Sequence, residues 1–143
     1  MRRAFLTIPA IMLIASAALA HSPMNRFWGE VPVDMLLSGD VLITKPLIVP
    51  KDVTLTIEAG AVVRFEGTKG RDNRIVVAGR LVAQGTKLKP IKFVPKDKDS
   101  GPWQGIVFEP GGKGSLANCV VEGATKGIVD PSDGAALSGV EVR

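Results

Sequence analysis

Two polar segments hold the side chains of this chain best suited to bind something. They are Gly67-Thr68-Lys69-Gly70-Arg71-Asp72-Asn73 and Pro95-Lys96-Asp97-Lys98-Asp99-Ser100-Gly101-Pro102. Lys69, Arg71, Asp72, Lys96, Asp97, Lys98 and Asp99 interleave both signs of charge and, stacked on one edge, could make a small mixed-charge recognition surface. Binding residues collect on such loops when a rigid scaffold carries them. Glycoside chemistry would ask for two carboxylates at a fixed separation. The best pair is Glu58 and Glu109, each close before a glycine turn. If they occupy equivalent turns two repeats apart, with Ala78 between, they lie roughly 9.6 Å apart, at the outer limit for an inverting pair. Glutamates beside glycine turns more often keep a surface soluble, so no catalytic residue is assigned.

His21 is the one histidine. As a new N-terminus it could offer amine and imidazole to Cu(II), with Met24 as a soft neighbour. Oxygenases of that kind need a second histidine, so neither a metal site nor a cofactor is assigned. Cys119 is the one cysteine, which excludes an internal disulfide. Within Ala117-Asn118-Cys119-Val120-Val121 it reads as a small buried apolar residue.

The elements that must position these residues announce themselves as a repeat. Leu55-Thr56-Ile57-Glu58-Ala59-Gly60, Ile75-Val76-Val77-Ala78-Gly79 and Ile106-Val107-Phe108-Glu109-Pro110-Gly111 share a strand-and-glycine form, and Ile128-Val129-Asp130 with Gly134 is a degenerate copy. With Leu55, Ile75, Ile106 and Ile128 taken as equivalent, the steps are 20, 31 and 22 residues, and Met35 lies 20 residues before Leu55. Spacings in this range mark repeat architectures. Within each repeat, apolar residues alternate: Val53, Leu55, Ile57; Ala61, Val63, Phe65; Ile75, Val77; Leu81, Ala83. That is the pattern of strands with one buried face. No segment carries a helical stripe, and 16 glycines and 10 prolines interrupt every candidate.

These residues predict an all-β chain of about four to five coils, three short strands each, stacked at the parallel-strand spacing. The polar insertions fall at one corner. The outward positions Thr56, Val76, Val107 and Val129 are largely apolar. Thr54 and Thr56 invite an ice-binding comparison, but Arg74 with Val76 and Gly105 with Val107 break the array. Trp103 is expected to pack at the start of its coil, and Phe27 with Trp28 to cap the first.

The order L-x-I-x-x-G, V-x-F, I-x-V-x-G-x-L-x-A-x-G-T, P-I-x-F, W-x-G-I-x-F, from Asp52 to about Gly127, resembles secreted bacterial right-handed parallel β-helix repeat proteins. The resemblance implies a right-handed β-solenoid of the pectin-lyase-like group, whose members include polysaccharide lyases, hydrolases and adhesins. The lyases and hydrolases cluster aspartates on the outward face, where this chain has valines. A fold of this kind does not fix an activity.

The N-terminus reads as a targeting segment. Arg2 and Arg3 precede an apolar run from Phe5 to Ala17, and Ala18-Leu19-Ala20 is a small-x-small cleavage site. Residues 1–20 are thus expected to be a signal peptide, 21–34 an N-terminal capping segment and 35–143 the β-helix. An ordinary Sec signal is favoured over twin-arginine export, because the basic region begins at the arginines themselves. The net charge of +4 falls to about +2 without Arg2 and Arg3, and the remaining charges are mixed, which excludes a nucleic-acid stripe. The expectation is an exported, non-catalytic module, periplasmic or extracellular, with a structural or binding role at the cell envelope. The alternative is a polysaccharide-active enzyme or accessory carbohydrate-binding protein. Expected partners are a second copy through the C-terminal coil, an envelope protein or a polysaccharide. No contact with nucleic acid is expected, and the membrane enters only through the signal peptide.

Overall fold

The computed structural model describes residues 25–67 and 73–143. The expected signal peptide, His21, Met24, Lys69, Arg71 and Asp72 lie outside the described residues. Alternating apolar residues on short runs bounded by Gly, Pro, Asn and Asp can satisfy their backbone only by pairing with other strands. The described residues accordingly form strands and turns, with no helix among them.

In chain order the strands are β1 (Asn25–Glu30), β2 (Met35–Leu37), β3 (Asp40–Val49), β4 (Thr54–Ile57), β5 (Val62–Phe65), β6 (Arg74–Val77) and β7 (Arg80–Gln84). Then follow β8 (Ile91–Pro95), β9 (Gly105–Phe108), β10 (Lys113–Ala117), β11 (Cys119–Val121), β12 (Ile128–Val129), β13 (Ala135–Ser138) and β14 (Glu141–Val142).

Every strand pairing is parallel. One sheet has five strands in the order β13-β10-β7-β4-β2. The other has nine, in the order β12-β9-β6-β3-β5-β8-β11-β14, with β1 also on β3. The long strand β3 joins the two arms of this larger sheet. Its first half, Asp40–Ile43, pairs with β5, and its second, Leu47–Val49, with β6. The chain therefore runs from the five-stranded sheet to one arm, then to the other, and returns one layer further on. This is consistent with a β-helix or solenoid-like fold.

The pairing corrects the repeat alignment. Ile75, Ile106 and Ile128 stack as expected, but the residue beneath them is Leu47. Leu55 belongs to the other sheet, where it pairs with Met35 on one side and Leu81 on the other. The two phrases look alike because both are four-residue strands ending near a glycine. Spacing alone cannot separate two faces of one turn of chain. The pairing of Met35 with Leu55 is as the spacing predicts.

The core lies between the sheets. Val41, Val63, Phe93 and Val121 form one inward row, and Ile57, Ala83 and Leu116 another, each at most 1% exposed. Each of these Val, Ile, Leu and Phe side chains contributes about 1.5–3 kcal/mol through its removal from water. Where Phe108 enters from the larger sheet, the opposing position is Gly114, and a Cβ there would lie 2.5 Å from the phenyl Cε1. Phe108 thus fills the volume that Leu81 fills one layer below.

Parallel pairing begins at β1, ahead of Met35. Phe27 lies over Ile43 and packs on the core. Trp28 falls at an irregularity of the register between Phe27 and Gly29 and is 59% exposed, so it does not close the first layer with Phe27.

Candidate functional site

The second polar segment leaves the fold where the first arm of the larger sheet passes to the second. In β3 this corner takes three residues, Thr44-Lys45-Pro46. Between β8 and β9 it takes nine, residues 96–104. Aromatic packing makes that excursion possible. Trp103 is fully buried and stacks on Phe65, with ring centroids 3.7 Å apart and planes 5° from parallel. Its Nε1–H donates to the Glu122 carbonyl at 2.8 Å. The chain leaves after Pro95 and re-enters at this anchored indole, which occupies the start of its coil as the sequence predicts.

Asn73 anchors the neighbouring layer. It is 1% exposed, and its Nδ2 donates to the carbonyls of Ile43 and Glu66, both at 2.8 Å. Gly67 lies directly against the loop of the next layer, where a Cβ would be 2.5 Å from the Ser100 carbonyl.

Of the site residues that can be placed, two are occupied within the loop or across the corner. Asp97 organises its own turn. One carboxylate oxygen accepts from Ser100 Oγ at 3.0 Å and from the Asp99 N–H at 2.9 Å, and Ser100 Oγ accepts from the Asp97 N–H at 3.2 Å. The Ser100 hydroxyl, aided by the Asp99 amide and the Lys96 charge, holds its carboxyl below the usual 3.8, although partial desolvation opposes this. Lys96 Nζ lies 3.8 Å from Glu66 Oε2. Lys98 and Asp99 are exposed at the tip.

The glutamate pair does not assemble. Glu109 follows Phe108 and lies over Ala78, at the corner that leads from the larger sheet to the smaller. Glu58 follows Ile57 at the far end of the smaller sheet, level with Gln84. The two therefore occupy different corners, for the same reason that Leu55 and Ile75 are not equivalent. On the outward side, Ile48, Val76, Val107 and Val129 form one row, while Thr56 lies in another with Leu36, Val82 and Ser115. Among the described residues no group of three or more His, Cys, Asp or Glu could hold a metal ion.

Cys119 is 1% exposed, with Sγ 3.4 Å from the Ala83 carbonyl and 3.3 Å from that of Ala117. Burial pushes the thiol from 9.0 up to about 11. A thiol so disposed is neither nucleophile nor ligand near neutral pH.

One concavity gathers charges that no sequence motif connects. At the corner between the second arm and the five-stranded sheet, Lys51, Asp52, Thr54, Gly79, Arg80 and Lys113 line a pocket of about 270 Å³. Its origin is local. The turns Pro50–Val53 and Glu109–Gly112 are each closed by a hydrogen bond from the fourth residue to the first carbonyl, at 3.1 and 2.8 Å. Each has a left-handed third residue, Asp52 at φ 67° and Gly111 at φ 88°. Between them the chain turns in only two residues, Ala78-Gly79, whose amides both donate to the Val49 carbonyl. A short corner between two longer ones leaves a recess. The signal was present in the sequence as the unequal gaps between strands.

In comparisons with known proteins, no family model, no curated protein and no solved structure matches this chain.

Proposed function

We propose that this chain is an exported, non-catalytic right-handed parallel β-helix with a structural or binding role at the cell envelope. The observation that carries the reading is the outward row Ile48, Val76, Val107 and Val129, hydrocarbon throughout, together with the separation of Glu58 and Glu109 onto different corners. Acid–base cleavage of a glycosidic bond needs two carboxyl groups facing one substrate, and neither arrangement supplies them. The right hand follows from the rule that parallel strands joined within one sheet cross over right-handed in roughly 98% of cases. Export rests on the basic start, apolar run and Ala18-Leu19-Ala20 of the leader.

The deciding experiment incubates the protein with a panel of acidic and neutral polysaccharides and measures new reducing or unsaturated ends. The expected result is no cleavage. Cleavage that disappears in Glu58→Gln or Glu109→Gln would instead establish the polysaccharide-active alternative. Fractionation of expressing cells tests the location, with loss of export expected when Arg2 and Arg3 are both replaced by Glu.

A further inference from the structure

We propose that the recess between Pro50–Val53 and Glu109–Gly112 is a binding site for a doubly charged oxyanion, of which a phosphate group is the fitting class. Three consecutive layers each place one cation on it: Lys51, Arg80 and Lys113. All three are exposed, and among the described residues none forms an ion pair.

Arg80 and Lys113 are direct register partners across β7 and β10. Their side chains therefore leave adjacent strands about 4.8 Å apart. Like charges placed directly opposite destabilise a sheet, and neither cation has a salt bridge among the described residues. Among the described residues the only acid lining the recess is Asp52, so that lining carries a net charge of +2.

The backbone leaves the recess open. Gly79 lines it and lies tight on the turn of the layer below, where a Cβ would be 2.2 Å from the Pro50 carbonyl and 2.3 Å from that of Val53, so no side chain is tolerated there. Gly111 has nothing within 4 Å of its Cβ position. A planar guanidinium and two mobile ammonium groups around a polar recess suit the three acceptor oxygens of a phosphate group, with the guanidinium taking two of them. A singly charged carboxylate would leave one cation of the surplus unmatched.

The test is titration calorimetry and thermal unfolding of the full chain in low-salt buffer. Inorganic phosphate is the first ligand and glycerol 3-phosphate the second, with acetate and sodium chloride as controls. The expected result is saturable heat with phosphate and a rise in melting temperature that acetate and chloride at equal ionic strength do not give. Binding of glycerol 3-phosphate as well would identify a phosphoester as an accepted source, and binding of phosphate alone would restrict the site to the free ion. Arg80→Gln and Lys113→Gln should each weaken binding about tenfold, as expected for loss of one charge-assisted contact. Lys92→Gln, on another face, should leave it unchanged. Without phosphate, Arg80→Gln should melt no lower than the parent, since it removes a like-charge neighbour, and this shows that the variant is folded. Absence of saturable heat, an equal response to chloride, or equal affinity in Arg80→Gln and Lys92→Gln would overturn the proposal. None of these results depends on whether the chain cleaves polysaccharide.

Discussion

Asn73 illustrates how much of a corner can depend on one amide. Its Nδ2 holds the Ile43 and Glu66 carbonyls. The first also accepts from the Glu66 N–H at 3.0 Å and would keep that partner if the amide were lost. Asn73→Ala should therefore cost about 1–3 kcal/mol in denaturant unfolding, the penalty for a part-buried carbonyl left without its donor. Asn73→Asp should cost more at neutral pH, because a buried carboxylate would face two carbonyl oxygens. Its proton would be bound more tightly in the folded chain than in the unfolded one, so this excess cost should shrink as the pH falls toward the unfolded carboxyl value.

Cys119 gives the opposite end of the pH scale. Its thiol rises from 9.0 to about 11 on folding, so the unfolded chain ionises first. The stabilisation tied to the protonated thiol is complete below pH 9.0 and is lost as the pH climbs toward 11. Between those values the melting temperature of the parent should drop faster than that of Cys119→Ala. A thiol reagent at neutral pH should react only after denaturant is added. That Cys119 would be buried was readable from its valine neighbours. Asn73 was not: a polar residue beside a polar loop looks the same whether it is solvated or holding two carbonyls, and only the approach of β3 makes it an anchor.

Among the elements, β9 and β10 are matched to each other. Phe108 occupies the space that Gly114 leaves, and any side chain at Gly114 meets the phenyl ring. Gly114→Val should destabilise by about 1–3 kcal/mol through overpacking. Combined with Phe108→Leu it should cost less than the sum of the two single changes, and the double-mutant cycle in urea measures that coupling. The strands themselves were legible, because alternation in Val53, Leu55 and Ile57 or in Ala61, Val63 and Phe65 leaves few alternatives. Their assignment to faces was not. Leu55-Thr56-Ile57 and Ile75-Val76-Val77 have one pattern and different neighbours, since a strand's own sequence records which side is buried but not which strand it lies beside. The Glu58–Glu109 pairing depends on that alignment and comes apart with it.

In the whole molecule, stability should vary by layer. Strands β4 to β8 are paired on both sides, whereas β12, β13 and β14 each pair on one side only. Leu137 and Val142, on the inward rows, are 50% and 54% exposed. Such parallel stacks gain most of their stability between adjacent layers. Amide hydrogen exchange should therefore be slowest in β4, β5, β6, β7 and β8 and fastest in β12 to β14. Uniform protection across all layers would contradict this and indicate a single cooperative unit.

The sequence by itself determined that the described residues are strand and turn, that Val63, Phe65 and Trp103 face inward, and that Cys119 is buried. It could do so because alternation and glycine punctuation are local properties. Only the tertiary structure decided which strands are neighbours, and with that which charges meet. Lys51, Arg80 and Lys113 are separated by 29 and 33 residues along the chain and carry no motif. They come to one recess because a two-residue corner lies between two four-residue turns. Pairing across layers converts a difference in loop length into a shape, and no single segment contains that information.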